Sequence, residues 1–299
     1  MPAADLTEYL AATTTAAWVD FSAREQLRVI GPDRVSFVHG MVTNDITGLA
    51  EGASCPVAML TAKGAMVGDG RVLKLPDAVL IDTGAGQGAA VKAFLEKYLI
   101  SEDAEVQVAS ELAMIGLLGP AADPSLVPPG AIVATLPGLL GSGHDLLVRR
   151  EALGEVRAAL VGLPSISDST LEVLRIEAGV PRFGVDMTET TIPLEANLEK
   201  ALHYNKGCYI GQEVIARATY RGQMNKKLVG VLLGEHALER GAELFKAEKR
   251  VGRVTSVARS EKTRQLIALA YVHRDHLTPG TVLDLPAAAG TVTVSALPF

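Results

Sequence analysis

The sequence predicts an α+β protein of two or three compact lobes, the last of them all-β. Three observations carry that expectation. At 299 residues, 48% hydrophobic and 21% charged, the chain has the composition of ordinary folded domains and the length for more than one core. Its first two thirds mix hairpin-like strands with isolated helices, without the strict strand-helix alternation of a parallel sheet. From residue 227 onward helical periodicity disappears, and short apolar runs follow one another between turns.

The elements follow in order. AWVDFSAREQLRVI (17–30) reads as two short strands around a polar turn. In GPDRVSFVHGMV, Pro32 suits a first helical position and Asp33 a first turn. Phe37, Val38, Met41 and Val42 form one apolar face, and TNDITGL ends the helix. From residue 55, apolar runs alternate with Lys-Gly, Gly-Asp-Gly and Pro-Asp turns, the mark of antiparallel hairpins. Val91, Phe94, Leu95, Tyr98 and Leu99 recur at helical spacing. ELAMIGLLGP and HDLLVRR are strands, and EALGEVRAALVGL is a helix. SDSTLEVLRIEAGVP has a Ser-Asp start, an apolar face of Leu171, Leu174 and Ala178, and a Gly179–Pro181 stop. QEVIARA is helical. KLVGVLLG, VGRVTSVARS, QLIALAYVHR, TVLDLP and GTVTVSALPF then form a barrel or sandwich, which divides the chain into regions 1–221 and 222–299.

The formal charge of -6 opposes extensive wrapping of nucleic acid, because phosphate neutralisation needs a basic surface. Strong direct nucleic-acid binding is not expected. Lys226-Lys227 and the run from Lys246 to Arg253 read as solvated faces and hairpin edges. Two cysteines are too few for a disulfide scaffold, and Asp5 and Glu8 interrupt any secretion signal, so a cytoplasmic setting is expected. No apolar run approaches the length of a bilayer span. His273 and His276 lie three apart, but with no cysteine or third histidine nearby they read as strand end and loop rather than a metal site.

KGCYIGQE (206–213) is the stretch that composition does not explain. Read from the residues alone, Cys208 has three open roles: buried filler, metal ligand or reactive group. Lys206, the N–H groups of a helix starting near Gly211 and exposure in a glycine-flanked turn would each favour a thiolate. Free cysteines are also commonly buried small hydrophobes, and Cys55, in an apolar strand, reads as core.

The octapeptide resembles the signature of the YgfZ family of folate-binding proteins, relatives of the aminomethyltransferase (T-protein) of the glycine cleavage system. The resemblance is collinear over nearly the whole chain. GPDRVSFVHGMVTND resembles an N-terminal block ending in T-N-D, LTAKGAMVGD the strand and turn after it, and LRIEAGVPRFGVDM with TTIPLEANL a block of the form R-x-E-x-G…G-x-D…P-x-E. It implies a three-lobed ring of two α+β lobes and a C-terminal β-barrel around a central tetrahydrofolate site.

It also implies site residues. Glu177 matches the carboxylate that accepts hydrogen bonds from the pterin, a charge-assisted contact. Without the family it reads as a surface carboxylate or the partner of Arg175, which shares its block. Asp69 falls on an Asp-Asp pair that includes the catalytic carboxylate. Here the pair is Gly68-Asp69, which leaves aminomethyl transfer open, and Asp69 alone could be a turn residue. Asn44 and Asp45 match the T-N-D block and otherwise read as a helix-ending turn. The family implies an accessory protein that binds folate and supports iron-sulfur cluster assembly or repair in client proteins, including tRNA-modifying enzymes, with Cys208 as the reactive group; Lys206 is the neighbouring cation that would activate it, and a monomer is the default expectation. Two distant cysteines suit a transient cluster contact rather than a resident one. The alternative is a tetrahydrofolate-dependent aminomethyl- or other one-carbon transferase.

Overall fold

The computed structural model describes residues 1–221, 224–286 and 289–299. The expected boundary at Gly222 therefore lies outside the described residues.

Two antiparallel sheets and a closed barrel form three lobes. The first sheet has the order β3-β4-β5-β2-β6, from β2 (Glu25–Ile30), β3 (Ser54–Leu60), β4 (Met66–Lys74), β5 (Val79–Thr83) and β6 (Glu105–Val108). Helices α2 (Arg34–Met41) and α3 (Gly88–Tyr98) cover it. Phe37, Val38, Val91 and Leu95 share one core with Leu27, Val57, Met59, Val72 and Ile81. The second sheet has the order β1-β7-β9-β8, from β1 (Ala17–Asp20), β7 (Leu112–Leu118), β8 (Ile132–Pro137) and β9 (His144–Arg149). Helix α4 (Leu153–Ala159) packs on it through Leu153 and Val156. All seven residues of β7 are buried, as a strand covered on both faces must be.

A buried ion network joins the two sheets. Asp82 of β5 accepts from Arg24, Gln26 and Arg71, and Arg71 also reaches Asp145 of β9 at 2.6 Å. Each charge faces an opposite one, which is the condition for burying it.

The barrel closes in the order β10-β13-β12-β11-β14-β15, from β10 (Lys226–Gly234), β11 (Glu243–Lys246), β12 (Lys249–Ser260), β13 (Gln265–His273), β14 (Val282–Asp284) and β15 (Thr291–Ser295). Closure removes free edges. Helix α5 (Asp168–Glu177), capped by the Ser167 hydroxyl, packs between the barrel and α1 (Leu6–Thr14). Helix α6 (Gln212–Arg221) precedes the barrel.

Three expectations are adjusted. α1, β6, β8 and β11 have no counterpart in the sequence reading. Helix α2 starts at Arg34, two residues after Pro32, and the Asp33 side chain accepts from Asp103 N rather than from its own helix. Leu99 is the C-cap of α3 and still packs against the same core as Val91, Phe94 and Leu95.

Candidate functional site

A cavity of about 650 Å³ opens between the segment 185–195 and barrel strands β10, β12 and β13, a size that suits a small organic ligand. Glu195 stands on its wall. It rides on a 3-10 turn, Pro193–Ala196, with Pro193 at the start, where a fixed φ costs nothing. The turn stops at Asn197, which adopts a left-handed φ of 59° and donates its side-chain amide to Leu228 O of β10 at 2.9 Å. The Glu195 carboxyl is thereby fixed to the barrel, 8% exposed and 3.6 Å from Lys226 Nζ. Burial pushes its pKa up, while Lys226 pulls it down.

Asp186, 3% exposed, lines the same cavity. One of its oxygens accepts from Arg175 and Arg182 N, the other from the Thr255 and Ser256 hydroxyls at 2.6 and 2.7 Å. Successive residues of a regular strand point to opposite faces. A bulge in β12 between Val254 and Ser256 brings both hydroxyls to one acceptor. Arg175, through Asp186, is thus a brace behind the cavity wall rather than part of its lining. Tyr271 of β13 also lines the cavity; Lys226 Nζ lies 5.0 Å from its ring centroid, and its hydroxyl proton has no acceptor among the described residues.

The expected anchor, Glu177, is placed differently. It is buried, and its carboxylate accepts from the Tyr9 hydroxyl (2.8 Å), the Ser260 hydroxyl (2.6 Å) and Lys262 N (3.2 Å). Those donors come from α1, the end of β12 and the turn after it, so Glu177 pins three elements together and does not line the cavity. In this structure the partners of the carboxylate are all protein groups. Glu195, of the same sequence block, shares the cavity wall with Asp186; its signal is Pro193-Leu194-Glu195, which sequence alone does not rank against Glu177.

Asp69 lies in β4 directly opposite Ala58 of β3, and opposed residues share a sheet face. Ala58 packs with Met187 and Ala196, the chain neighbours of Asp186 and Glu195. Gly68 belongs to the other face, against Val91 and Gln87 of the α3 side. The Gly-Asp substitution for an Asp-Asp pair therefore removes a carboxylate from the helix side and keeps the one on the side of the 187–196 segment. Burial pushes the Asp69 carboxyl up to about 6 against the pull of Arg24.

Lys206 does not address Cys208. Its ammonium, 9% exposed, donates to the carbonyls of His39, Val42 and Asn44 at the end of α2, where a cation is favoured. Burial draws its pKa down to about 8. Asn44 donates its side-chain amide to Pro56 O and Lys200 O, and Asp45 accepts from Gly48 N. Both therefore build the turn after α2. Gly211, at φ 83°, lets the segment approach Thr61 O, which would lie 2.7 Å from any Cβ. Tyr209 is buried beside Leu60 and Met66. Cys208 is exposed. Burial pushes the Cys55 thiol up to about 11, which leaves it unreactive.

Residues 1–128 match the model of the GCVT N-terminal domain, and residues 226–299 match that of the glycine cleavage T-protein C-terminal barrel domain. An aminomethyltransferase of Saccharopolyspora erythraea is 28% identical over 99% of this chain and 89% of its own. One from Thermotoga maritima is 28% identical over 89% of this chain and 81% of its own. The crystal structure of the glycine cleavage system aminomethyltransferase T of Bartonella henselae superposes with a TM-score of 0.87 at 22% identity, covering 98% of this chain and 88% of that one; it has the same fold. The first and last segments of the chain are thus similar to the two domains of the glycine cleavage T-protein, and the aminomethyltransferases it resembles span most of its length.

Proposed function

We propose that the protein binds tetrahydrofolate in the Glu195 cavity and acts as a folate-dependent, T-protein-like one-carbon transferase, aminomethyl transfer being the activity its relatives are named for. The observation that carries this reading is the buried Glu195 carboxyl beside Lys226 on the wall of a cavity large enough for a pterin. A carboxyl matches the ring N–H and exocyclic amine of a pterin edge, and Lys226 supplies a donor to an adjacent acceptor. Val185, Val251 and Val254 give apolar surface for the ring faces. Arg250 and Arg253, on the same lining, suit an anionic tail.

When bound, tetrahydrofolate supplies a nucleophilic nitrogen that accepts the one-carbon unit. Glu195 and Lys226 orient the ring edge, and the Arg175–Asp186 brace keeps the wall in place. Asp69, on the sheet face turned toward that segment, holds or releases a proton near neutrality, where a general acid–base group works best. The test is ammonia release from an aminomethyl-lipoyl carrier protein in the presence of tetrahydrofolate. Turnover in the wild type and its loss in Asp69→Asn support the reading; folate binding without turnover opposes it.

A second reading is favoured by Cys208, exposed in a motif whose neighbours have structural work. In it the protein is a YgfZ-type accessory factor that supports iron-sulfur client proteins, tRNA-modifying enzymes among them, through transient use of the thiol. Cys208→Ser should then leave folate affinity and Tm unchanged while lowering cluster-dependent activities in cells. Unchanged cellular activities would remove this reading.

A further inference from the structure

We infer that the Tyr271 hydroxyl is a ligand contact of the cavity, donating to a ring heteroatom of the bound pterin; this rests on the placement of tetrahydrofolate beside Glu195. Tyr271 is 9% exposed, and its hydroxyl is buried with no acceptor for its proton among the described residues. Buried phenols generally find one.

The two carboxylates that could accept its proton are engaged elsewhere. Asp186 takes its four donors from Arg175, Arg182 N, Thr255 and Ser256. The Thr191 hydroxyl, its neighbour, accepts from Thr188 N at 3.0 Å and has its own proton to give to the phenol oxygen, which leaves the phenol proton without an acceptor among the described residues. Glu195 faces Lys226. The wall thus leaves the phenol proton unused, and phenylalanine would fill nearly the same volume without it. The oxygen acquires a use when a ligand in the cavity offers an acceptor. Because its neighbours cover it in the free protein, a ligand reaching it displaces the Thr188–Thr191 turn, which lines the same cavity through Thr188, Thr190 and Thr191.

Tyr271→Phe, which removes one oxygen, tests this in a calorimetric titration with reduced tetrahydrofolate beside a melting curve of the ligand-free protein. The expected result is about three- to tenfold weaker binding, the value of one neutral hydrogen bond, with an unchanged or raised ligand-free Tm. Unchanged affinity, or a lowered ligand-free Tm, would overturn the inference. Glu195→Gln in the same titration separates the two layers. If it weakens binding and Tyr271→Phe does not, the Tyr271 contact alone falls; if neither does, the placement of tetrahydrofolate falls with it.

Discussion

Two buried side chains of the recognisable motifs hold the structure together, and their loss should be read in stability. Lys206→Met leaves three carbonyls at the end of α2 without their shared donor and should cost about 2–4 kcal/mol in denaturant unfolding. Glu177→Ala orphans Tyr9, Ser260 and Lys262 N and should cost a similar amount, about 2–4 kcal/mol, while leaving folate affinity unchanged. A normal melting curve with weakened binding would return Glu177 to the ligand site. Asp69 has a pH signature. Its folded pKa of about 6 lies above the ordinary 3.8, so the folded protein keeps a proton that the unfolded chain releases. Stability therefore falls as pH rises through that window and is level above it. Asp69→Asn should gain on the wild type across the same window, measured by unfolding at a series of pH values; parallel curves would refute the perturbed carboxyl.

At the scale of elements, the segment 206–214 is docked by close approach as well as by contacts. Gly211→Ala forces a Cβ to 2.7 Å from Thr61 O at a φ of 83° and should destabilise by about 1–3 kcal/mol. Hydrogen exchange should rise first around the Thr61–Gly64 turn and the start of α6; uniform exchange would argue against local docking. The hairpins and the barrel were legible because strand alternation and turn residues are local signals. Helix α1 was not: Leu6 and Leu10 are exposed, so its apolar residues mark no continuous buried stripe. Strand β8 sits in a Pro- and Gly-rich stretch. The β12 bulge that turns Thr255 and Ser256 onto Asp186 leaves no mark in the sequence, because it depends on register with a neighbouring strand.

At the scale of the molecule, three lobes meet around residues drawn from distant parts of the chain. Glu177 and Glu195 lie 18 positions apart in one block, and nothing local says which faces inward. The decision is made by Tyr9, 168 residues away, and Ser260, 83 away, closing on Glu177, while Asn197 ties the Glu195 turn to the barrel. The Gly68-Asp69 departure looked like the loss of half a catalytic pair; the register of β3 against β4 puts the two positions on opposite faces. The central claim is that Glu195 anchors tetrahydrofolate. The measurement that tests it most directly is an anaerobic calorimetric titration of reduced tetrahydrofolate into the wild type, Glu195→Gln and Glu177→Gln. Saturable wild-type binding, weakened about tenfold or more by Glu195→Gln and unchanged by Glu177→Gln, is the predicted result. Equal affinity in the wild type and Glu195→Gln would contradict it.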